Sequence, residues 1–350
     1  MRAYYYNIRN VQLMWSKWQE GEFPSHLLYG AAELEQHGIE LVMHQSVNVE
    51  HRGLLMLRTA WRILRCRESY DVVYGTAFRG LELIILLRAL HLFRRPIVVW
   101  HHQPIVKARN PLREAVARLF YRGIDHMFFF SEKLISDSLK SAKARPERLH
   151  LAHWGADLNF YDRIIRAHEG ERKGFVATGK EMRDHTTLIK AFNRTTQVLE
   201  LYVARYKGDK NPDRGIETLQ TEENIHVNST DGHLMPRTLA EKVDQAACVV
   251  ICCYPTNYTV GLTTVVEALA LGLPMICTRN AQMPFDIEAE GCGITVDYGD
   301  VEGWVKAIET IANDPERARQ MGQRGRQLSE QTYNIAHCAA EVAEVLKQIR

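Results

Sequence analysis

Between Ala247 and Thr278 the sequence sets out a strand-like apolar run to Cys253, a polar loop, a helix-forming segment from Gly261 to Leu271, and a second apolar strand from Pro274. Gly272 and Pro274 close the helical segment, because glycine can take the left-handed backbone at a helix end and proline cannot continue the helix. Strand, loop, helix and strand in a parallel sheet bring the helix N-terminus, with its free N–H groups, to the carboxyl edge of the sheet, where anions bind. One carboxylate, Glu267, lies within this helix among Val265, Val266, Ala268, Leu269 and Ala270. Such a glutamate either lies on a solvated stripe or is aimed into a cleft to accept hydrogen bonds from hydroxyls.

The same alternation runs through the rest of the chain. In the first half strands are predicted at Ala3–Ile8, Ile39–His44, Val72–Tyr74, Ile97–Trp100 and Met127–Phe130, and helices at Pro24–His37, Gly53–Arg67, Leu81–Phe93 and Leu112–Tyr121. Alternating units of this kind build doubly wound parallel sheets, so the fold class is α/β. Two predicted loops at strand ends stand out: 10–23, with Gly21 and then His26 just beyond it, and the His101, His102, Gln103, Pro104 run. A histidine at a strand's carboxyl end serves either as acid, base or electrostatic partner, or as a loop residue bonded to a carbonyl. A polar stretch, Asp162–Lys173, is the expected linker to a second sheet. That sheet begins near Phe175, and its first strand-to-helix loop, 179–185, carries Lys180 and Arg183.

At 350 residues the chain has the length of two domains. Its seven cysteines are odd in number and no pair has Cys-X-X-Cys spacing, which predicts reduced thiols and counts against a zinc site. Arg2–Ile8 reads as a strand and not as a signal peptide, and charges such as Arg88 interrupt every long apolar run, so no membrane span is expected. No Gly-X-Gly-X-X-Gly follows the first strand, which counts against a dinucleotide oxidoreductase.

Glu267, Ala268, Leu269, Ala270, Gly272 and Pro274 resemble the second half of the signature of retaining glycosyltransferases of the GT-B fold, family GT4 or group 1. The first half departs from it: eight positions before Glu267, where the family carries a glutamate near the donor sugar, stands Thr259. Similarity continues through Ser131–Ile135, through Gly155 and Asp157 before the linker, and through the closing region to Arg350. The resemblance implies two Rossmann-like domains facing across a cleft, 1–161 with a returning helix at about 335–350, and 174–334. It implies a nucleotide-diphosphate sugar as co-substrate, with Lys180 and Arg183 on the diphosphate and Glu267 on the ribose. Gly261, Leu262, Thr263 and Thr264 would offer backbone donors, Thr259 would stand near the sugar, and the loop 228–236 would cradle the base. His102, with His101 as runner-up, would line the reaction centre, and Gly21 and His26 would lie on the acceptor side. Transfer with retention, no cofactor, no metal and no protein nucleophile are also implied.

Two other classes remain open at this level: a nucleotide-sugar epimerase of the same fold, and a catalytically silent nucleotide-sugar binding protein. Charge adds an expectation about partners. Residues 52–122 hold 14 Lys and Arg against four Asp and Glu, interleaved with large apolar residues as in 54–67. That composition suits either the outer helices of an α/β domain or a surface lying on an anionic membrane. With sugar-enzyme motifs around it, nucleic acid is not expected as a partner. The acceptor would be saccharide or lipid-linked, and the protein cytoplasmic, peripheral on the inner face of the plasma membrane.

Overall fold

The computed structural model describes residues 1–46, 51–204, 219–230 and 234–349. They form two compact units, Met1–Trp154 with Ile335–Arg350, and Gly155–Asn334. Among the described residues each unit holds a six-stranded sheet whose pairs are all parallel.

The first unit contains β1 (Arg2–Tyr6), α1 (Val11–Gln19), β2 (Glu40–Met43), α2 (Arg52–Leu64), β3 (Val72–Gly75), α3 (Glu82–Ala89), β4 (Ile97–Trp100), α4 (Pro111–Arg122), β5 (His126–Phe129), α5 (Glu132–Leu139) and β6 (Leu149–Leu151). Its strand order is β2-β1-β3-β4-β5-β6. β3 and β4 are buried along their whole length, as expected of parallel strands covered by helices on both faces.

The second unit contains α6 (Leu158–Ala167), β7 (Phe175–Ala177), α7 (His185–Phe192), β8 (Leu199–Ala204), β9 (Ile225–Thr230), α8 (Pro236–Asp244), β10 (Cys248–Ile251), α9 (Leu262–Leu271), β11 (Met275–Thr278), β12 (Gly293–Val296), α10 (Val301–Asn313) and α11 (Pro315–Gln331). The last helix, α12 (Ile335–Gln348), belongs to the first unit. Strand order in the second sheet is β12-β11-β10-β7-β8-β9, which reverses direction between β10 and β7. Ligands of doubly wound sheets bind outside the carboxyl ends of the strands at such a reversal. The loops leaving β7 and β10 are therefore the ones the topology marks.

Three local expectations change. The loop expected at 10–23 is largely helix α1, because Asn10 caps it by accepting the Leu13 N–H at 3.1 Å and Val11 and Met14 face the core. The single helix expected at 24–37 is two 3-10 turns, Ser25–Leu28 and Ala31–His37, broken at Tyr29 and Gly30 with φ of 58° and 80°. Buried tyrosines take the carbonyls that a continuous α-helix would use: Tyr5 donates to Leu28 O at 2.9 Å and Tyr74 to Tyr29 O. The stretch expected as linker from Asp162 is helical to Ala167, since Asp157 caps α6 on the Phe160 N–H at 3.0 Å and Phe160, Tyr161 and Ile164 are buried. The units divide at Trp154 and Gly155 instead of 161. Gly155 admits no side chain, because an added Cβ would lie 1.8 Å from the carbonyl carbon of Tyr333. Of the expected base-cradling loop 228–236, residues 231–233 lie outside the described residues.

Candidate functional site

In the second unit the loop after β7 and the loop after β10 are joined by backbone bonds. Asp184 N–H donates to Cys252 O at 3.0 Å and Tyr254 N–H to Met182 O at 2.9 Å. Tyr258 adds a bond from its hydroxyl to the Glu181 carboxylate at 2.9 Å. Met182 takes a left-handed φ of 51° to make the turn.

Arg183 sits between these loops with 6% of its surface exposed. Its Nε donates to Thr178 O at 3.0 Å and Nη1 to Glu181 O at 3.0 Å. Nη1 also reaches Cys253 Sγ at 3.4 Å, and Nη2 donates to Thr264 Oγ1 at 3.2 Å. These acceptors are all neutral, and among the described residues no carboxylate lies within ion-pair distance of the guanidinium. A buried cation without an anion is costly, and an anionic ligand removes that cost. Gly179 lies against the guanidinium at φ 122°, where an added Cβ would come 2.2 Å from Nη2. Lys180, in the same loop, is exposed.

Thr264 belongs to the first turn of α9, whose N-cap is Gly261 at φ 91°. A Cβ there would come 2.9 Å from Ile251 Cγ2, so the loop can close onto the strand end only with glycine. Leu262 N–H donates to the Thr259 carbonyl at 3.1 Å, and Thr259 itself is buried. Leu262 is buried and Thr263 exposed. The first-turn N–H groups of a helix lack acceptors in any earlier turn, so this end of α9 presents positive dipole beside Arg183. Deeper in α9, Glu267 is half-buried and bonded to the hydroxyl of Tyr161 on α6. Burial, reinforced by that carboxylate, pushes the Tyr161 hydroxyl far above its ordinary range, so it stays protonated and donates. Sequence reasoning missed Tyr161, because nothing local ties it to a glutamate more than a hundred positions away.

In the first unit the two candidate histidines differ. His101 is buried: Nδ1 donates to Gln103 O at 2.5 Å, Nε2 accepts from the Tyr121 hydroxyl at 2.9 Å, and the ring stacks on Phe129. Burial lowers its pKa to about 4, so it is a neutral structural group. His102 is half-buried, donates from Nε2 to Thr76 O at 2.9 Å, and lies among Tyr29 and Phe130. Thr76 follows β3, one of the two strands flanking the reversal in this sheet, and that places His102 at the ligand edge. Gly21 lies in the turn after α1, with φ 77° and its N–H on Trp18 O at 2.9 Å. His26 is enclosed in the core, its ring edge-on to Trp154 and its carbonyl accepting the Trp154 indole N–H at 2.9 Å. A side chain with no exposed surface cannot meet an acceptor, so His26 is part of the packing.

Residues 166–328 match the family described as glycosyl transferases group 1. Among curated relatives, an MMP alpha-(1->4)-mannosyltransferase of Mycolicibacterium hassiacum is 23% identical over 317 residues, covering 83% of this chain and 74% of the relative. A D-inositol 3-phosphate glycosyltransferase of Corynebacterium glutamicum is 25% identical over 310 residues, covering 80% and 73%. Among solved structures, Anabaena HepE in complex with UDP superposes with a TM-score of 0.68 at 14% identity, covering 99% of this chain and 100% of that one.

Proposed function

We propose that this chain, whose residues 166–328 match the glycosyl transferases group 1, is a glycosyltransferase that moves a sugar from a nucleotide-diphosphate donor to an acceptor with retention of anomeric configuration. The observation that carries this reading is the buried guanidinium of Arg183, held by neutral acceptors where the second sheet reverses and next to the N-terminus of α9. Charge that develops on a leaving diphosphate would be met by fixed donors: Arg183, Lys180 and the first turn of α9. The protein thus takes the part a divalent ion has in other transferases. Glu267 accepts the ribose hydroxyls, with Tyr161 fixing the direction of its carboxylate. Thr259, in place of a carboxylate, leaves the sugar held by neutral groups. In a same-face reaction the departing phosphate oxygen takes the acceptor's proton, so no side chain of the chain acts as nucleophile. His102, its Nε2–H already given to Thr76 O, lines that edge of the first unit with its imidazole ring.

Of the acceptor, we infer a lipid-linked class reached by docking on an anionic leaflet. The outer face of α2 supports this: Leu57, Trp61 and Leu64 are 60%, 58% and 55% exposed beside the exposed Arg58 and Arg65. The core side of the same helix already buries Leu55, Thr59, Ala60 and Ile63, so these leucines and the tryptophan are surplus to packing. No described helix is long and apolar enough to cross a membrane, which leaves a surface mode.

The test of the donor reading is a thermal-shift screen of UDP, GDP and their sugars, without added Mg²⁺. A ligand at 100 times its dissociation constant stabilises by about 2.7 kcal/mol. Stabilisation by a nucleoside diphosphate but not by its nucleoside supports the site; no shift with any of them removes it. The anomer of the transferred sugar, read by NMR, checks retention.

A further inference from the structure

The first unit also carries a cluster that the transferase reading leaves unused. His337 and Glu341 are four residues apart on α12 and so project from one face. His153 follows β6, so the groups come together only in the fold. His153 Nδ1 lies 2.6 Å from Glu341 Oε1, and His337 Nε2 lies 3.4 Å from that same oxygen. One donor atom from each of the three residues lies within 4.8 Å of the other two. The two imidazole rings stand edge to face with centroids 5.7 Å apart, so both rings aim at the carboxylate instead of stacking.

The geometry assigns this trio as a binding site for a zinc-type divalent metal ion, clamping the last helix to the end of β6. With metal–ligand bonds of about 2.0–2.1 Å, donors in a tetrahedral site stand roughly 3.3 Å apart. The His337–Glu341 separation is already of that size. The His153–Glu341 pair must open by less than one ångström, a small rotation of a glutamate whose side chain is 26% exposed. The second carboxylate oxygen of Glu341 accepts the backbone N–H of His153 at 2.7 Å, which orients the ligand as outer bonds do in metal sites. Two imidazoles and one carboxylate suit a borderline ion such as Zn²⁺ better than Mg²⁺ or Ca²⁺, which take oxygen ligands. Partial exposure of all three leaves a fourth position for water. An ion pair alone would need only one imidazole at Oε1; the second, from an exposed residue on the neighbouring turn, is what a metal would use.

The test uses the full chain, freed of any affinity tag and treated with chelator, titrated with Co²⁺ and with Zn²⁺. Expected are one equivalent of Co²⁺ giving the intense visible absorption of a tetrahedral site, displacement by Zn²⁺, and a raised thermal midpoint with Zn²⁺. His337→Ala removes an exposed ligand without touching the bonds between His153 and Glu341, so it should fold as the parent does and bind at least tenfold more weakly. His226→Ala, an exposed histidine of the other unit, should leave binding unchanged. Glu341→Gln gives a second check, since it keeps the oxygen that accepts the His153 N–H while weakening the metal. Absence of micromolar binding, or equal binding by parent and His337→Ala, overturns the assignment.

Discussion

Replacing Arg183 with methionine separates the two things this residue does. In the free protein its guanidinium makes bonds to Thr178 O, Glu181 O and Thr264 Oγ1 at 3.0 to 3.2 Å, and losing it leaves those acceptors short of a donor. Each buried group left unsatisfied costs about 1–3 kcal/mol. Against that, methionine removes a cation that is buried with no carboxylate of the described residues beside it, and relief of an uncompensated buried charge is worth several kcal/mol. The two effects oppose, so the thermal midpoint should move little, by the equivalent of about 1–2 kcal/mol in either direction. Binding has no such compensation. A charge-assisted bond to phosphate contributes about 1.5–3 kcal/mol, so losing one weakens a nucleoside diphosphate by roughly 10- to 150-fold. The nucleoside alone should be affected less than threefold. Calorimetric titration of parent and variant with both ligands, beside melting curves, gives all the numbers needed. A variant that folds but binds the diphosphate within threefold of the parent, or that loses nucleoside and diphosphate by the same factor, would refute the assignment of Arg183 to a phosphate.

Glu267→Gln should show the opposite selectivity, weakening nucleoside and diphosphate alike by about tenfold or more through loss of a charge-assisted ribose bond, and equal affinities would remove Glu267 from the site. Tyr161→Phe keeps the shape but frees the carboxylate, so a smaller loss in donor affinity, partly additive with Glu267→Gln, is expected; full additivity in the double variant would show that the two do not act together. Vesicles containing anionic lipid should sediment the protein at low salt, with binding lost in Trp61→Ser with Arg58→Gln and reduced by added salt, each basic residue contributing about 1 kcal/mol near the surface; binding indifferent to lipid charge contradicts the docking face. His44, His101 and His150, all in the first unit, have pKa values lowered to about 4, chiefly by burial. They stay neutral when folded but protonate near 6.5 when unfolded, so the stability they confer is complete above pH 6.5 and drains away as pH falls towards 4. For the enclosed His101 the full effect is about 3 kcal/mol, and melts from pH 7.5 to 4.5 should steepen accordingly, less so in His101→Gln; a midpoint flat across that range would contradict it.

Local pattern determined a good deal of this protein. Strand and helix alternate because each element's burial period is written into a few consecutive residues, and β4 falls where the apolar run Ile97–Trp100 lies. Gly261 and Gly272 mark the ends of α9 through their positive φ, a backbone conformation that glycine takes at the least steric cost. Glu267 stands out in the sequence because it is the single charge in an apolar helix. What tertiary structure decided is what depends on residues far apart. The strand reversal that makes the β7 and β10 loops neighbours is a pairing of Val176 with Val249, and no local period encodes which strand a strand will join. The sequence puts Arg183 in a strand-to-helix loop, and the resemblance puts it on the diphosphate; its burial comes only with the fold, because Cys253 and Thr264 close over it from 70 and 81 positions away. His101 and His102, adjacent and alike in sequence, separate because alternate residues at a strand end point to opposite faces, one towards Tyr121 and the other towards Thr76. The turn at Tyr29 escaped the helical pattern of its segment because Tyr5 and Tyr74, on strands remote in sequence, capture its carbonyls. Side-chain chemistry is local and therefore legible, whereas burial, pairing and partner choice are fixed by which distant surfaces meet.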